Sequence, residues 1–581
     1  MITNFYHDPA IDITLASLTE LDVRLKLPRS ASHVEFLTWN KAKRAPALTA
    51  ELSAHRWAET ADYAYYRFNW TSIEPRVRYL QYIFKFTWEG RELWLDAYGL
   101  HEHEPSLKGR FEFPYAGDRD TIHAPDWIRD RVWYQIFPER FCNGSTDNDP
   151  EDVMPWGTEP TRENTMGGDL RGIIDKLEYL QQLGVNALYL NPIFTGKSNH
   201  KYDTLDYFTI DPQFGTIADL KELTDRCHER GMKIVLDLVI NHCGYDHPMF
   251  QDLIERGEQS PYRDWFYVHE FPISLSDSKY DSVWYYQWMP KLKTSNPQVR
   301  QYVYDIVSFW QSETGIDGWR IDVADEVEVS FLRELNSRVK LINKDAFIIS
   351  EIWHDAKPLM MSGGTDSVMN YELRDILLEY VADRAISLAQ FHARLVRYTH
   401  RFSSVELNQM FNLLGSHDTE RIMTRCGGRL DIIRLLVAMQ MTMQGNPVIY
   451  YGDELGLTGD NDPGCRACMP WDTNCAELPL WSYIREWNRL KTTIPALQLG
   501  RIELLCREEE QLYAVKRTDR NESVILVVNF SEQPVNWSKA LSRFTLAAAD
   551  YRQVMLPGTG DDNGGLQAHP FALYLSHTIK E

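Results

Sequence analysis

Four segments of this chain end in side chains that can hold, give or take a proton at a fixed place. They run from Asp237 to Asn241 and His242, from Gly318 through Arg320 to Asp322, from Ser350 and Glu351 to Trp353, His354 and Asp355, and from Gly415 to His417 and Asp418. Paired carboxylates suit hydrolysis of a glycosidic bond: one stays protonated to donate to the leaving oxygen, and the other stays ionised to attack the anomeric carbon. Arg320 precedes Asp322 by two residues, so on a strand it projects to the same side. A fixed cation there lowers the pKa of Asp322 and keeps it a nucleophile. Glu351, with no arginine of its own, reads as the proton donor. Asp418 reads as a third carboxylate that holds sugar hydroxyls and favours an oxocarbenium-like transition state. This reading requires residues 322 and 351 to face each other at about 5–5.5 Å, the spacing of a retaining enzyme. Taken singly, each residue has a plainer use. An Asp after a strand is commonly a helix cap, and Asp237 can be that or a buried partner that orients Arg320. His242 alone reads as a core or rim histidine. The coincidence at four strand ends is what marks a site.

The elements that must position these groups are legible in the apolar runs. Val132–Phe137, Ala187–Leu190, Lys233–Val239, Gly318–Val323, Phe347–Ile352, Ser367–Met369, Phe411–Leu414 and Pro447–Tyr451 read as strands, with helical stretches between them such as Gly172–Leu183 and Ile217–Arg230. Eight βα units in series predict an α/β fold, a (β/α)8 TIM barrel over 126–500, with active-site groups at the C-terminal strand ends. The interval 243–290 is too long for a plain loop and reads as an inserted subdomain after strand three; it contains the aromatic run WYYQWMP. Residues 1–120 carry alternating stretches (Asp22–Leu27, Tyr79–Phe86) that read as an N-terminal β-sandwich. Trp39, Trp57, Trp70, Trp88 and Trp94 punctuate it, either as core or as a glucan-binding surface, with core the favoured reading. Tyr115 to Pro125 reads as the linker. Residues 501–581 read as a C-terminal antiparallel β-domain with strands at Leu512–Lys516, Val524–Asn529 and Phe571–Leu575.

Composition narrows the class. A net charge of −22 leaves no basic excess to neutralise phosphates, which excludes a nucleic-acid partner. No run approaches the ~18 apolar residues of a membrane span, and the N-terminus lacks a charged segment followed by an apolar one; the expectation is a cytoplasmic protein. Eight cysteines in 581 residues are too sparse for a disulfide scaffold. The CxxC at Cys465 and Cys468 has neither a βα context nor a second CxxC, so free thiols are expected.

DLVINH (237–242), GWRIDVADE (318–326), SEIWHD (350–355) and LLGSHD (413–418) resemble, in order and spacing, the four recurrent segments of the α-amylase family of glycoside hydrolases. MPKLKT (289–294), SNHKYDTLDY (198–207), MPWGTEPT (154–161) and the N-terminal β-domain make the chain look most like the cyclomaltodextrinase, neopullulanase and maltogenic amylase group. The resemblance implies Asp322 as nucleophile, Glu351 as acid/base and Asp418 as transition-state stabiliser. It also implies substrate contacts from His242, Arg320, His417, Asp462 and Arg466, stacking of Tyr202 on the sugar at the cleavage position, and Trp353 as a platform for the acceptor sugar. Lys293 and Asp325 stand where the group usually has Asn, which puts the balance of hydrolysis and transfer in doubt. The oxygen-rich loop Asn143, Ser145, Asn148 and Asp149, with Gly167 and Asp169, suits Ca2+ or is a cluster of Asx-turns; in related enzymes the matching positions hold calcium, and Ser145 replaces a stronger ligand. The expected activity is retaining cleavage of α-1,4-glucosidic bonds in cyclodextrins, short maltodextrins and pullulan. An α-glucan transglycosylase or α-glucosidase on the same three acids stays open, as does a catalytically silent carbohydrate-binding barrel. In the resembling group the N-terminal domain packs over a neighbouring subunit's active site, which implies a homodimer.

Overall fold

Eight parallel strands occupy the middle of the chain: Trp133–Ile136, Ala187–Leu190, Lys233–Leu238, Gly318–Ile321, Phe347–Ser350, Ser367–Val368, Phe411–Leu413 and Asn446–Tyr450. They pair side by side in chain order, and the eighth returns to the first. The seam between the sixth and seventh is narrow: a single bridge joins Met369 to Phe411, and Asn370 donates its N–H to the Phe411 carbonyl at 2.9 Å. All eight expected strands are present. Several ladders stop short of the apolar run, because Val239, Ile352, Met369 and Leu414 are buried in the loops beyond. This computed structural model describes residues 5–577, apart from 44–47, 119, 123–124, 277–278, 476–477, 521, 532, 534, 547–549, 555 and 558–570.

The pleat sorts each strand's residues between two cores. Tyr134, Ile136, Leu188, Leu190, Ile234, Leu236, Trp319, Ile321 and Ile348 point outward into the layer under the helices. Trp133, Ala187, Tyr189, Val235, Phe347, Ile349, Met369, Phe411 and Val448 fill the interior. The next inward positions towards the C-terminal end are polar: Gln135, Asp237, Arg320, Asp322 and Glu351 are buried there. Gly318 leaves the interior room to close, since a Cβ would come within 1.9 Å of the Phe347 carbonyl oxygen.

The outer helices start on explicit caps. Thr216 and Asp219 form a capping box for Ile217–Glu229. The single helix expected over 172–183 is two, Leu170–Asp175 and Leu177–Leu183, with Lys176 outside helical geometry between them. The first is pressed against the loop after strand one, where a Cβ on Gly172 would come within 2.0 Å of the Cys142 carbonyl oxygen. The insertion carries the helix Pro248–Arg256 and is packed through Phe250 against Phe266 and Tyr280.

The N-terminal domain has two antiparallel sheets, one ordered Ile13–Ser17, Glu20–Pro28, Tyr63–Thr71, His55–Glu59, and the other built on Leu48–Ser53, Ser32–Asn40, Arg78–Trp88, Arg91–Asp96 and Gly99–His101 with Phe111–Tyr115 alongside Arg78–Trp88. Trp70 is buried in the sandwich core, as the core reading expects; Trp39 is buried in a small cluster with Leu37 and Ile83, Trp57 is buried against the barrel, and Trp88 and Trp94 are half-buried. The alternation expected over 22–27 is incomplete, because Asp22 and Arg24 are buried as well. That sheet is covered on its second face by the barrel: Arg67 donates to Ser404 Oγ at 2.7 Å and to the Phe402 carbonyl at 2.9 Å, and Asp22 accepts from the Ser404 N–H at 2.9 Å. The expected linker begins inside the strand Phe111–Tyr115 and partly falls outside the described residues. The C-terminal sheet adds Arg501–Arg507 and Arg552–Val554 to the three expected strands. All eight cysteines are free. Among the described residues no helix is long and apolar enough to cross a membrane.

Candidate active site

Strands three, four and five lie in register, Asp237 beside Arg320 and Ile321 beside Ser350, and this sets one guanidinium among three carboxylates. Arg320 Nη1 donates to both oxygens of Asp237 at 3.0 Å and to Asp322 Oδ1 at 2.7 Å. Its Nη2 lies 3.0 Å from Glu351 Oε2. The expectation that Glu351 has no arginine is therefore corrected: a side chain of this length on strand four reaches the acid of the neighbouring strand. The expected depression of Asp322 is corrected too. Burial pushes its carboxyl well above the usual range; Arg320 pulls it down, while Glu351 and Asp237 push it further up. Asp237 is raised as well, chiefly by burial, with Arg320 and the hydroxyls of Tyr189 and Tyr202 pulling it down.

The free valences point to substrate. Asp322 Oδ2 and His242 Nε2 are buried, lack hydrogen-bond partners and stand 4.0 Å apart. Glu351 Oε2 accepts the Val323 N–H at 2.9 Å, and its Oε1 accepts the Trp353 indole N–H at 3.1 Å. Val323 holds φ at +44°, a left-handed backbone rare for a β-branched residue. The turn that follows Asp322 thus aims its amide back at Glu351.

Asp237 is no helix cap. It accepts from Tyr189 at 2.6 Å, from Tyr202 at 2.8 Å and from Arg320, which fixes Arg320 as the second of the two readings required. Tyr202 Oη also lies 2.6 Å from His417 Nε2, and the two rings stack at 5.4 Å. Gln135 Nε2 sits 2.8 Å from His417 Nδ1. Asp418 is approached by His417 Nε2 at 3.1 Å and by Arg466 Nη2 at 3.2 Å. Arg466 in turn holds Asp462 at 2.8 Å and donates to the His417 carbonyl at 2.9 Å. Burial lowers His242 to about 3, with Lys291 contributing, and lowers His417 and His200 well below the usual imidazole range. These rings therefore serve as neutral hydrogen-bonding groups.

The structure thus brings together Asp322, Glu351, Asp418, Tyr202, His242, Arg320, Trp353, His417, Asp462 and Arg466. Trp353 does more than offer an apolar face. It stacks on Tyr371 at 3.7 Å, stays 41% exposed, and donates to Glu351. Asp325, one of the two departures, pairs with His354 at 2.9 Å, and Glu326 pairs with Lys291 at 2.8 Å. Sequence reasoning missed Gln135, Tyr189, Tyr371 and Asn191, which accepts from Gln135 Nε2 at 3.1 Å and donates to Tyr202 Oη at 2.9 Å. A glutamine inside the apolar run 132–137 was a signal; Tyr371, lying in a helix, gave none.

The oxygen-rich loop is built as a cradle. Asp169 caps Leu170–Asp175 and accepts from the N–H groups of Gly144, Ser145 and Gly172 at 3.0, 2.9 and 2.6 Å. Asn143 Nδ2 donates to Asp149 Oδ1 at 2.8 Å, and Gly167, at φ +79°, has no room for a Cβ, which would lie 2.3 Å from that oxygen. Asn148 Oδ1 is buried and unpartnered. An orphaned oxygen beside two carboxylates fits a hard cation. Among the described residues no group of three or more His, Cys, Asp or Glu side chains is placed to hold a metal ion.

The sequence profile of the α-amylase catalytic domain matches residues 135–493. A cyclomaltodextrinase from Geobacillus thermopakistaniensis is 43% identical over 466 residues, 79% of each chain. Neopullulanase 2 from Thermoactinomyces vulgaris is 41% identical over 463 residues, again 79% of each. A solved structure of a cyclomaltodextrinase superposes with a TM-score of 0.87 at 34% identity, covering 99% of both chains. The cyclic α-maltosyl-(1→6)-maltose hydrolase from Arthrobacter globiformis, in complex with cyclic α-maltosyl-(1→6)-maltose, gives 0.72 at 38% identity, over 78% of this chain and 100% of that one.

Proposed function

This chain belongs to the α-amylase family of glycoside hydrolases, and from that premise we propose that it cleaves α-1,4-glucosidic bonds in cyclodextrins, short maltodextrins and pullulan with net retention. The observation that carries the reading is the unpartnered Asp322 Oδ2 beside a Glu351 held on the same guanidinium. Asp322 is the nucleophile: its free oxygen attacks the anomeric carbon, the C–O bond to the leaving sugar breaks, and Glu351 gives that oxygen its proton. Water then attacks the anomeric carbon while Glu351 takes one of its protons, the ester C–O bond to Asp322 breaks, and the sugar leaves as Asp322 returns to a carboxylate. In the first step Asp322 loses negative charge as Glu351 gains it. Arg320 contacts both, so it compensates either state without moving. Asp418, His417, His242, Asp462 and Arg466 take sugar hydroxyls, Tyr202 stacks on the ring, and Trp353 receives the acceptor.

The test is the anomer formed first from β-cyclodextrin, followed by proton NMR, with Asp322→Asn and Glu351→Gln alongside. The α-anomer is expected, with each variant slowed by about 10³ or more. The β-anomer, or an Asp322→Asn enzyme of unchanged rate, overturns the reading. A transglycosylase on the same acids is told apart by maltotriose: chains longer than the substrate mark transfer.

Asn143, Ser145, Asn148, Asp149, Gly167 and Asp169 would hold Ca2+ as a structural ion that fastens the loop after strand one. Chelator treatment is expected to lower the thermal midpoint, and added Ca2+ to restore it; an unchanged midpoint overturns the site. We place the enzyme in the cytoplasm, where its unpaired cysteines stay reduced; recovery outside the cell on fractionation overturns that. We also assign it a homodimer through the N-terminal domain. Sedimentation at a single monomer mass overturns that assignment.

A further inference from the structure

The sandwich and the C-terminal sheet meet along two sheet edges. Strand His55–Glu59 ends the first sandwich sheet, and Arg501–Arg507, the outer strand of the C-terminal sheet, lies against it. The pairing of His55–Glu59 with Tyr63–Thr71 slips at one place. His55 stands opposite Arg67 and Arg56 opposite Tyr66, but Ala58 is already opposite Tyr65. Trp57 is the extra residue of this bulge, and a bulge re-aims the side chain it carries. At the junction lies a cavity of about 180 Å³, whose lining includes His55, Trp57, Arg67, Asn69 and Arg501. A benzene-sized guest fits in about 150 Å³, so the space suits a small ion or molecule.

The lining offers donors, and none of the described residues in it is an acid. Trp57 is 2% exposed, and its indole N–H has no hydrogen-bond partner. His55 Nε2 is also buried and unpartnered. Arg67 is spent elsewhere: its terminal nitrogens go to Ser404 Oγ and to the Thr399 and Phe402 carbonyls, and its Nε faces Asp22 at 3.5 Å. Arg501, contributed by the other domain, is exposed and makes no ion pair among the described residues. The acids whose charge reaches His55 and Arg67 are already engaged. Glu503 holds Lys516 at 2.9 Å, Asp22 holds Arg24 at 3.2 Å, and Glu406 holds Lys357 at 2.7 Å. Buried donors left without acceptors are costly. In a protein of net charge −22, an acid-free space bordered by such donors and an unpaired guanidinium is made for an anion.

We propose that this cavity binds a small oxyanion, either free phosphate or the phosphate group of a larger molecule. The planar fork of Arg501 suits a tetrahedral oxyanion, with Trp57 and His55 supplying neutral N–H groups to its remaining oxygens. Because Arg501 belongs to the C-terminal sheet and the other two to the sandwich, the anion ties these domains together. The site is separate from the acids around Arg320 and does not rest on the proposed hydrolysis.

The experiment is calorimetric titration of inorganic phosphate, and separately of methyl phosphate, into the full-length protein, Arg501→Gln and Trp57→Phe. One equivalent of phosphate is expected to bind the parent, and each variant to weaken it by about tenfold, as loss of one charge-assisted or buried hydrogen bond does. Arg501 is exposed, so its variant carries the test even where Trp57→Phe fails to fold. Methyl phosphate binding equally assigns the site to a phosphate carried on a larger molecule; phosphate binding alone assigns it to the free ion. No saturable heat at millimolar phosphate, unchanged affinity in Arg501→Gln, or equal competition by chloride at matched ionic strength overturns the site. Phosphate is also expected to raise the thermal midpoint of the parent more than that of Arg501→Gln. An equal rise in both marks a general salt effect and overturns the tie between the domains.

Discussion

At the scale of single residues, the sharing of Arg320 decides what substitutions do. Lysine there carries one point charge where the guanidinium serves Asp237, Asp322 and Glu351 with two nitrogens. Arg320→Lys is expected to reduce kcat by about 10² or more, because it strands at least one buried carboxylate; single-turnover kinetics check this. Trp353→Phe separates two uses of one side chain. The phenyl ring keeps the stack on Tyr371 but removes the donor to Glu351 Oε1. Hydrolysis of maltotriose, which needs a proton on its leaving oxygen, is expected to slow by about tenfold. A p-nitrophenyl maltoside, whose leaving group needs little help, is expected to react as before. Equal slowing of both would show that the ring, not the N–H, matters.

At the scale of elements, the strand ends explain which parts were legible. Period-two alternation and short apolar runs disclosed eight strands, and the acids at their ends disclosed the site, since inward polar residues on an apolar strand stand out. The reach of Arg320 across to the next strand was not legible, because register is a property of two strands and neither one records it. Tyr371 was invisible for the same reason: it meets Trp353 only through packing of a helix on a loop. The loop after strand eight supplies a further expectation. Glu454 is buried, accepts from Tyr134 on strand one at 2.8 Å and from Tyr179 on the helix Leu177–Leu183 at 2.6 Å, and is pushed up to about 7, chiefly by burial. A carboxyl raised on folding binds its proton more tightly in the native state. Its stability contribution is therefore complete below about pH 4.5 and is lost as pH rises to about 7, amounting to roughly 3 kcal/mol. Glu454→Gln is expected to match the parent at pH 4.5 and to exceed it in thermal midpoint at pH 8.

At the scale of the whole molecule, the helix Leu388–Arg401 and the turn after it join the domains. His392 lies 2.6 Å from the Glu59 carbonyl of the sandwich and 3.2 Å from Tyr513 Oη of the C-terminal sheet. Below it, Arg67 and Asp22 form a buried charged contact with residues 399–404. Arg67→Ala removes one of the two arginines that pair with Asp22, leaving Arg24 at 3.2 Å, and strips the donors from the Ser404 and Phe402 contacts, a change that costs about 1–3 kcal/mol. Limited proteolysis is expected to release the sandwich as a separate fragment from this variant and not from the parent. The same contact bears on how the chain is made. Arg67 and Ser404 are 337 residues apart, so at ordinary elongation speeds the first domain leaves the ribosome about 20–70 s before its docking partner exists. A greasy face would spend that interval exposed to every passing nascent chain. Asp22, Arg24 and Arg67 keep it wet until the right surface arrives.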